Sequence, residues 1–258
     1  MSVAHMSPGR ICSLSGLTDP LQTAASQDAA VFACGESQKR YASEMSESAA
    51  WNKQHEKYTH AGWIGKPTLF GEWALQYFPS KGKVLDAGCG QAQDTKLFAS
   101  KGYDVVAADF ADVALNFARE KMPDELKERV EFQQINLSEP LPFEDCSFDV
   151  VYSHMASHYF DEATTQRLFD EYLRILKSSG VLILLTNSVY DPEISQGRKL
   201  EEGFYRIGDM HKRFFSADSI KQFAHKFQIV MADENGETYK DRITGNSKLV
   251  RLVARKVS

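Results

Sequence analysis

Cysteine is scarce in this chain. There are four, Cys12, Cys34, Cys89 and Cys146, with no C-x-x-C pair and no histidine at zinc-finger spacing. A disulfide scaffold and a zinc module are thereby excluded, no metal site is expected, and a reducing cytoplasm is the compartment that fits. Runs rich in lysine and arginine are also missing. The formal net charge is −5 and the pI about 5.8, so no large phosphate-backbone footprint, and no nucleic-acid partner, is expected. No apolar stretch approaches the roughly 20 residues of a membrane span. The longest, Val181-Leu182-Ile183-Leu184-Leu185, has the length of a strand, and no membrane partner is expected. A charged start followed by an apolar core is absent, so a signal peptide is not expected. Arg10 and Arg40 are diluted by Asp19, Asp28 and Glu36, which makes a poor mitochondrial presequence. There is no internal repeat. Asn136-Leu137-Ser138 matches a glycosylation sequon, with nothing else pointing to secretion.

What remains is ordinary for a globular chain: 43% hydrophobic and 25% charged residues over 258 positions. That length holds one α/β domain with a full core and an appendage. Residues 1–47 are rich in Ala, Ser and Gln without a period, and are expected to be a disordered tail; residues 48–258 are the expected domain. Trp51 to Gly65 is aromatic and polar, with Trp51, His55, Tyr58, His60 and Trp63. Pro67 suits the first turn of a helix whose core stripe is Leu69, Phe70, Trp73, Ala74, Tyr77 and Phe78.

Strands and helices then alternate. Strands are predicted at 83–87, 104–109, 130–134, 148–153 and 181–186, and helices at 94–100, 112–122 and 162–176. Asp161 is the expected N-cap of the last helix and Gly180 closes it. Such alternation implies a parallel, doubly wound sheet. Residues 229–232 and 248–254 read as two further strands, an antiparallel hairpin at the C-terminal end.

The chain is organised around Lys83-Val84-Leu85-Asp86-Ala87-Gly88-Cys89-Gly90-Gln91-Ala92-Gln93-Asp94. An apolar strand runs into an acid, a glycine turn and a helix, which is the pattern of a nucleotide-cofactor cradle. The next strand ends in Asp109, roughly 20 residues past the first glycine, where an acid meets ribose hydroxyls. Further on stands Leu141-Pro142-Phe143-Glu144-Asp145-Cys146-Ser147-Phe148-Asp149-Val150-Val151.

The D-x-G-x-G turn, the acid after the second strand and the L-P-F-x-x-x-S-F-D-V-V stretch resemble the class I S-adenosylmethionine-dependent methyltransferases, strongly between about Lys83 and Thr186. The resemblance implies an α/β fold with a doubly wound, mostly parallel seven-stranded sheet and an antiparallel C-terminal strand, and S-adenosyl-L-methionine as cofactor. It implies that Asp86 reaches the methionyl amino group and that Gly88 and Gly90 lie against the methionyl and ribose portions. It assigns the ribose hydroxyls to Asp109, the adenine face to Phe110, the adenine edge to Asn136 and the Leu137 N–H, and the methionyl side to Ser153. Ala92 stands where the family often has a third glycine, which implies crowding, and Asn136 replaces a usual Asp. The rival nicotinamide dinucleotide motif G-x-G-x-x-G meets Gln93 at its third position and gives the L-P-F stretch no role.

The acceptor side is expected at the carboxyl ends of the strands. His154 and His158 follow the fourth strand, and His211 follows the fifth after a polar loop at 191–208; each is a candidate general base for an oxygen or nitrogen acceptor. Tyr58, Trp63, Tyr159 and Arg213 are candidate acceptor contacts, with Arg213 on a mobile lid and able to pair with an anion. The S-H-x-x-x-H-Y-F-D pattern, followed by H-x-R-F-F-S, is diffusely similar to the tellurite-resistance and related small-molecule methyltransferases. After strand four comes Ser153-His154-Met155-Ala156, not the Pro-Pro motif of nucleic-acid amino-methyltransferases. The resulting expectation is an enzyme that methylates a small molecule. A protein side-chain methyltransferase and a cofactor-binding protein without transferase activity are the alternatives.

Overall fold

The computed structural model describes residues 49–58, 61–62, 64–237 and 247–257. The expected tail at 1–47, Trp63, Cys12 and Cys34 lie outside the described residues.

Residues 49–58 are helical (α1). Helix α2 (Leu69–Ala74) follows and ends in a 3-10 turn at Leu75–Tyr77. Thr68, not Pro67, caps α2: its side chain accepts from the Gly71 N–H, which puts the proline outside the helix. The alternation then runs β1 (Lys83–Ala87), α3 (Gln93–Ser100), β2 (Asp104–Asp109), α4 (Asp112–Glu120), β3 (Val130–Gln134), β4 (Phe148–His154), α5 (Glu162–Ile175) and β5 (Leu176–Thr186). Asp161 caps α5 by accepting from the Thr164 N–H. Gly180 does not close α5. Leu176 is already extended, and Gly180 lies inside β5, which starts five residues earlier than its apolar run.

The loop expected after β5 is instead a second, three-stranded sheet: β6 (Arg198–Glu201), β7 (Phe204–Ile207) and β8 (Met210–Arg213), in antiparallel register. Gly203 and Gly208 sit at φ 69° and 58° in its two tight turns. They make hairpins here, where a mobile lid was expected. After α6 (Ala217–Phe223), capped by Ser216, come β9 (Gln228–Glu237) and β10 (Ser247–Arg255).

The main sheet has seven strands in the order β3-β2-β1-β4-β5-β10-β9. The first five are parallel, while β10 runs antiparallel to both β5 and β9. Leu85, Val151, Leu182, Leu184 and Leu252 on one face pack with Leu168, Phe169 and Tyr172 of α5 and Ile220 of α6. Val84, Val150, Ile183 and Val253 on the other face pack with Phe70 of α2 and Phe98 of α3. Strand order reverses between β1 and β4, and a crevice opens at such a switch point, at the carboxyl ends of the strands.

Candidate functional site: a glycine cradle at the switch point

The loop after β1 bends back on β2. The Gly88 and Cys89 N–H groups both donate to the Ala108 carbonyl, at 2.8 and 2.9 Å. Gly88 has φ 81°, and a Cβ there would lie 2.0 Å from the Ala156 side chain. Gly90 has φ 51°, and a Cβ there would meet the His55 ring at 3.2 Å. Only glycine lets the loop pass between these two neighbours. Ala92 keeps the left-handed conformation of a glycine, at φ 61°, so its cost is backbone strain.

Asp109 is fixed by the same loop. Its Oδ2 accepts from the Gly90 N–H at 2.8 Å and its Oδ1 from the Ala111 N–H at 2.9 Å. Each oxygen keeps a lone pair for a further donor. Asp86 is buried at the end of β1 and accepts from the Thr95 hydroxyl at 2.5 Å. Burial pushes its pKa up to about 8, against the pull of the Thr95 hydrogen bond and with a further push from Asp94 and Asp109. Burial, with Asp109 and Asp86 beside it, also raises the Cys89 thiol.

Helix α1 lies over this cradle. Asn52 donates to Asp112 Oδ1 at 2.7 Å, the Gln91 amide donates to the His55 carbonyl at 2.9 Å, and the Trp51 ring meets the Tyr159 ring edge-on at 4.8 Å. Tyr58, on the same helix, accepts from Gln54 at 2.5 Å, and its ring centroid is 6.0 Å from that of His55. The periodic Trp51, His55 and Tyr58 place His55 in the site. That i, i+4, i+7 spacing was its signal in the sequence. Gln91, whose buried Oε1 has no partner among the described residues, carried no comparable signal.

The remaining predicted residues are placed as follows. Phe110 is half-buried after β2 and its carbonyl accepts from Gln134. Asn136 Oδ1 accepts from both the N–H and the hydroxyl of Ser138, at 2.9 and 2.8 Å; its carbonyl holds a turn and its amide nitrogen remains for other contacts. Leu137 packs on the core beside it. Ser153 donates to the Ala87 carbonyl and accepts from Ser157, which in turn meets the Tyr172 hydroxyl at 2.9 Å. His154 stacks on Phe70 at 6.1 Å and is pushed toward the neutral form by burial, opposed by Asp94. His158 is fully buried. His211 is exposed on β8, so the three histidines do not converge. Arg213 is buried and committed: it pairs with Glu201 and donates to the carbonyls of Phe160 and Glu202. The structure thus turns its guanidinium to the latch between the small sheet and the loop after β4. An anionic acceptor, the expected partner, finds no free guanidinium there.

A cradle closed to any Cβ, two carboxylates and an unpartnered amide oxygen fit a ligand carrying vicinal hydroxyls and an ammonium group. Residues 85–184 match the methyltransferase domain family. The match covers 100 of the chain's 258 residues and supports a class I S-adenosylmethionine-dependent methyltransferase domain there. A Mycobacterium tuberculosis protein named as an S-adenosylmethionine-dependent methyltransferase is 34% identical over 138 residues, 53% of this chain and 44% of that relative. A demethylmenaquinone methyltransferase of Clavibacter sepedonicus is 32% identical over 102 residues, 40% of each chain. The chain therefore spans less than half the length of these curated relatives. Among solved structures, an S-adenosylmethionine-dependent methyltransferase from Methanosarcina mazei superposes with a TM-score of 0.59 at 24% identity, over 72% of this chain and 97% of that one; at that identity the likeness speaks for the fold. Among the described residues no helix of the methyltransferase domain is long and apolar enough to cross a membrane.

Proposed function

We propose that the chain transfers a methyl group from S-adenosyl-L-methionine to a small-molecule acceptor. The observation that carries this reading is Asp109, pinned by the Gly90 and Ala111 N–H groups at the mouth of the switch point. Its two remaining lone pairs suit paired ribose hydroxyls. Asp86 suits the methionyl ammonium, which favours the carboxylate that burial disfavours. When bound, the cofactor supplies a methyl group already activated on a sulfonium centre. The chain's own part is alignment: the cradle fixes one partner, the loop after β4 receives the other, and α1 keeps water out. Holding two reactants in line supplies several kcal/mol of the barrier. The names of relatives such as the demethylmenaquinone enzyme support an organic acceptor of modest size. The free thiols of Cys89 and Cys146 support work in a reducing compartment such as the cytoplasm.

Calorimetry with S-adenosylmethionine and with NAD tests the cofactor. Binding of the first alone is expected, and Asp109→Ala should cost about 1.5–3 kcal/mol, the range for hydrogen bonds to a charged group. An acceptor screen that detects S-adenosylhomocysteine release tests the transfer. Tight cofactor binding without release on any small molecule would leave a binding protein or a protein methyltransferase.

A further inference from the structure

His158 is fully buried, and neither ring nitrogen has a hydrogen-bond partner among the described residues. Buried polar groups are rarely left so, because each carries a desolvation cost that nothing returns. The position is otherwise firmly held. The His158 carbonyl accepts from the Arg213 N–H at 2.7 Å, which fixes the loop to β8. The preceding residue, Ser157, bonds Ser153 at the end of β4. The following residue, Tyr159, lies tilted against the His158 ring at 4.3 Å and meets Trp51 of the covering helix edge-on. The imidazole therefore sits between the cofactor cradle, α1 and the small sheet. His154, whose Nε2 also lacks a partner, and Lys212, held by Glu193 at 2.5 Å, are close enough to act on it electrostatically. Burial above all, then the Lys212 charge and the neighbouring His154, keep the ring neutral, with its pKa at about 3.

We propose that His158 is the acceptor-recognition residue of this site, and that the acceptor is an organic molecule whose hydroxyl group both donates to and accepts from the imidazole. This rests on the transferase reading above and narrows its substrate class. A neutral imidazole offers one N–H and one lone pair. A hydroxyl-bearing acceptor can meet both, alone or with a water. A soft sulfur, selenium or tellurium anion accepts a hydrogen bond but donates weakly at best, and leaves the basic nitrogen unpartnered. Because the ring stays neutral, its contribution is orientation, and the weak basicity of its free nitrogen argues against a general-base role. His158 is thus a positioning residue for the acceptor.

The test uses the full chain saturated with S-adenosylhomocysteine and carrying nitrogen-labelled histidine. Phenol and benzyl alcohol serve as protic probes, and methanethiol and dimethyl sulfide as soft ones. At least one protic probe is expected to shift the His158 ring-nitrogen resonances, with neither soft probe doing so. Affinity for that protic probe, read by calorimetry, should fall about tenfold in His158→Phe while cofactor affinity stays unchanged, and this variant, freed of an unpartnered polar ring, should melt at a higher temperature than the wild type. His158→Leu guards against a phenylalanine that does not fit. Shifts from the soft probes alone, or from none, overturn the proposal. So does a fall in melting temperature in both variants, which would show that the imidazole has a structural partner. If S-adenosylhomocysteine itself does not bind, the transferase reading fails first and takes this one with it.

Discussion

Asp86 holds a proton that a carboxyl group in water loses near 3.8, because burial raises its pKa to about 8 in the folded chain. A ligand ammonium placed against Asp86 needs the carboxylate, so binding below about pH 8 releases a proton. Affinity for S-adenosylmethionine should then fall as pH drops below that value, by up to about tenfold per pH unit, and fall again above it as the ligand's own ammonium loses its proton. Calorimetry in buffers of different ionisation heat reads the proton directly. Equal affinity between about pH 6 and 9 would remove Asp86 from the ligand. For folding, the raised pKa means that the group's stabilising contribution is complete below 3.8 and lost as pH rises through about 8. Asp86→Asn should therefore melt higher than the wild type in alkaline buffer and bind the cofactor more weakly. Asp86, Gly88, Gly90 and Asp109 were legible because a tight turn and an acid one strand later leave a spacing that survives in one dimension. Asn136 and Arg213 were legible as residue types only. What their polar atoms bind is decided by Ser138, Glu201 and the Phe160 carbonyl, which only the folded chain brings to them.

Elements follow the same division. Strands β1 and β2 appear within the residues that their apolar runs predicted, since central parallel strands are buried on both faces; β3, at the sheet edge, keeps its predicted range although none of its residues is buried. The three short strands at 198–213 escaped notice because half of their twelve residues are charged, so no apolar alternation marks them. Their attachment is the buried Arg213, stacked over Phe204 and Phe223 at 5.3 and 5.4 Å. Removing one partner of a buried pair typically costs about 3–5 kcal/mol, and Glu201 is 35% exposed, so Arg213→Ala should cost about 3 kcal/mol in urea unfolding. Cofactor affinity should be kept, which separates a latch from a ligand contact. Helix α2 is tied down in another way. Asp94 accepts from the Thr68 N–H, the Thr68 hydroxyl and the Tyr152 hydroxyl, and a Cβ at Gly71 would fall 2.4 Å from its Oδ1. Alanine gains roughly 1 kcal/mol over glycine in a helix, but a fixed carboxylate cannot retreat, and overpacking costs about 1–3 kcal/mol. Gly71→Ala should be net destabilising; a variant more stable than the wild type would mean that Asp94 can swing away.

At the scale of the whole molecule, the family match at 85–184 is not a folding unit. The sheet is completed by β10, which enters between β5 and β9 from the far end of the chain. Leu249, Val250, Leu252 and Val253 are at most 1% exposed, packed into both faces of the core. Burying four such side chains contributes about 1.5–3 kcal/mol each, roughly 6–12 kcal/mol together. The net stability of a domain is about 5–15 kcal/mol, so losing β10 consumes most or all of it. It also opens the edge of β5, whose Val181 to Thr186 pair with β10 along their whole length. A chain ending at residue 246 should therefore show no cooperative melt and bind no S-adenosylmethionine. The isolated segment 85–184 should fail in the same way, since it lacks Phe70, β10 and the first two residues of β1. A sigmoidal melt in the chain ending at 246, raised by the cofactor, would show that β1 to β5 with their helices fold without the C-terminal strand.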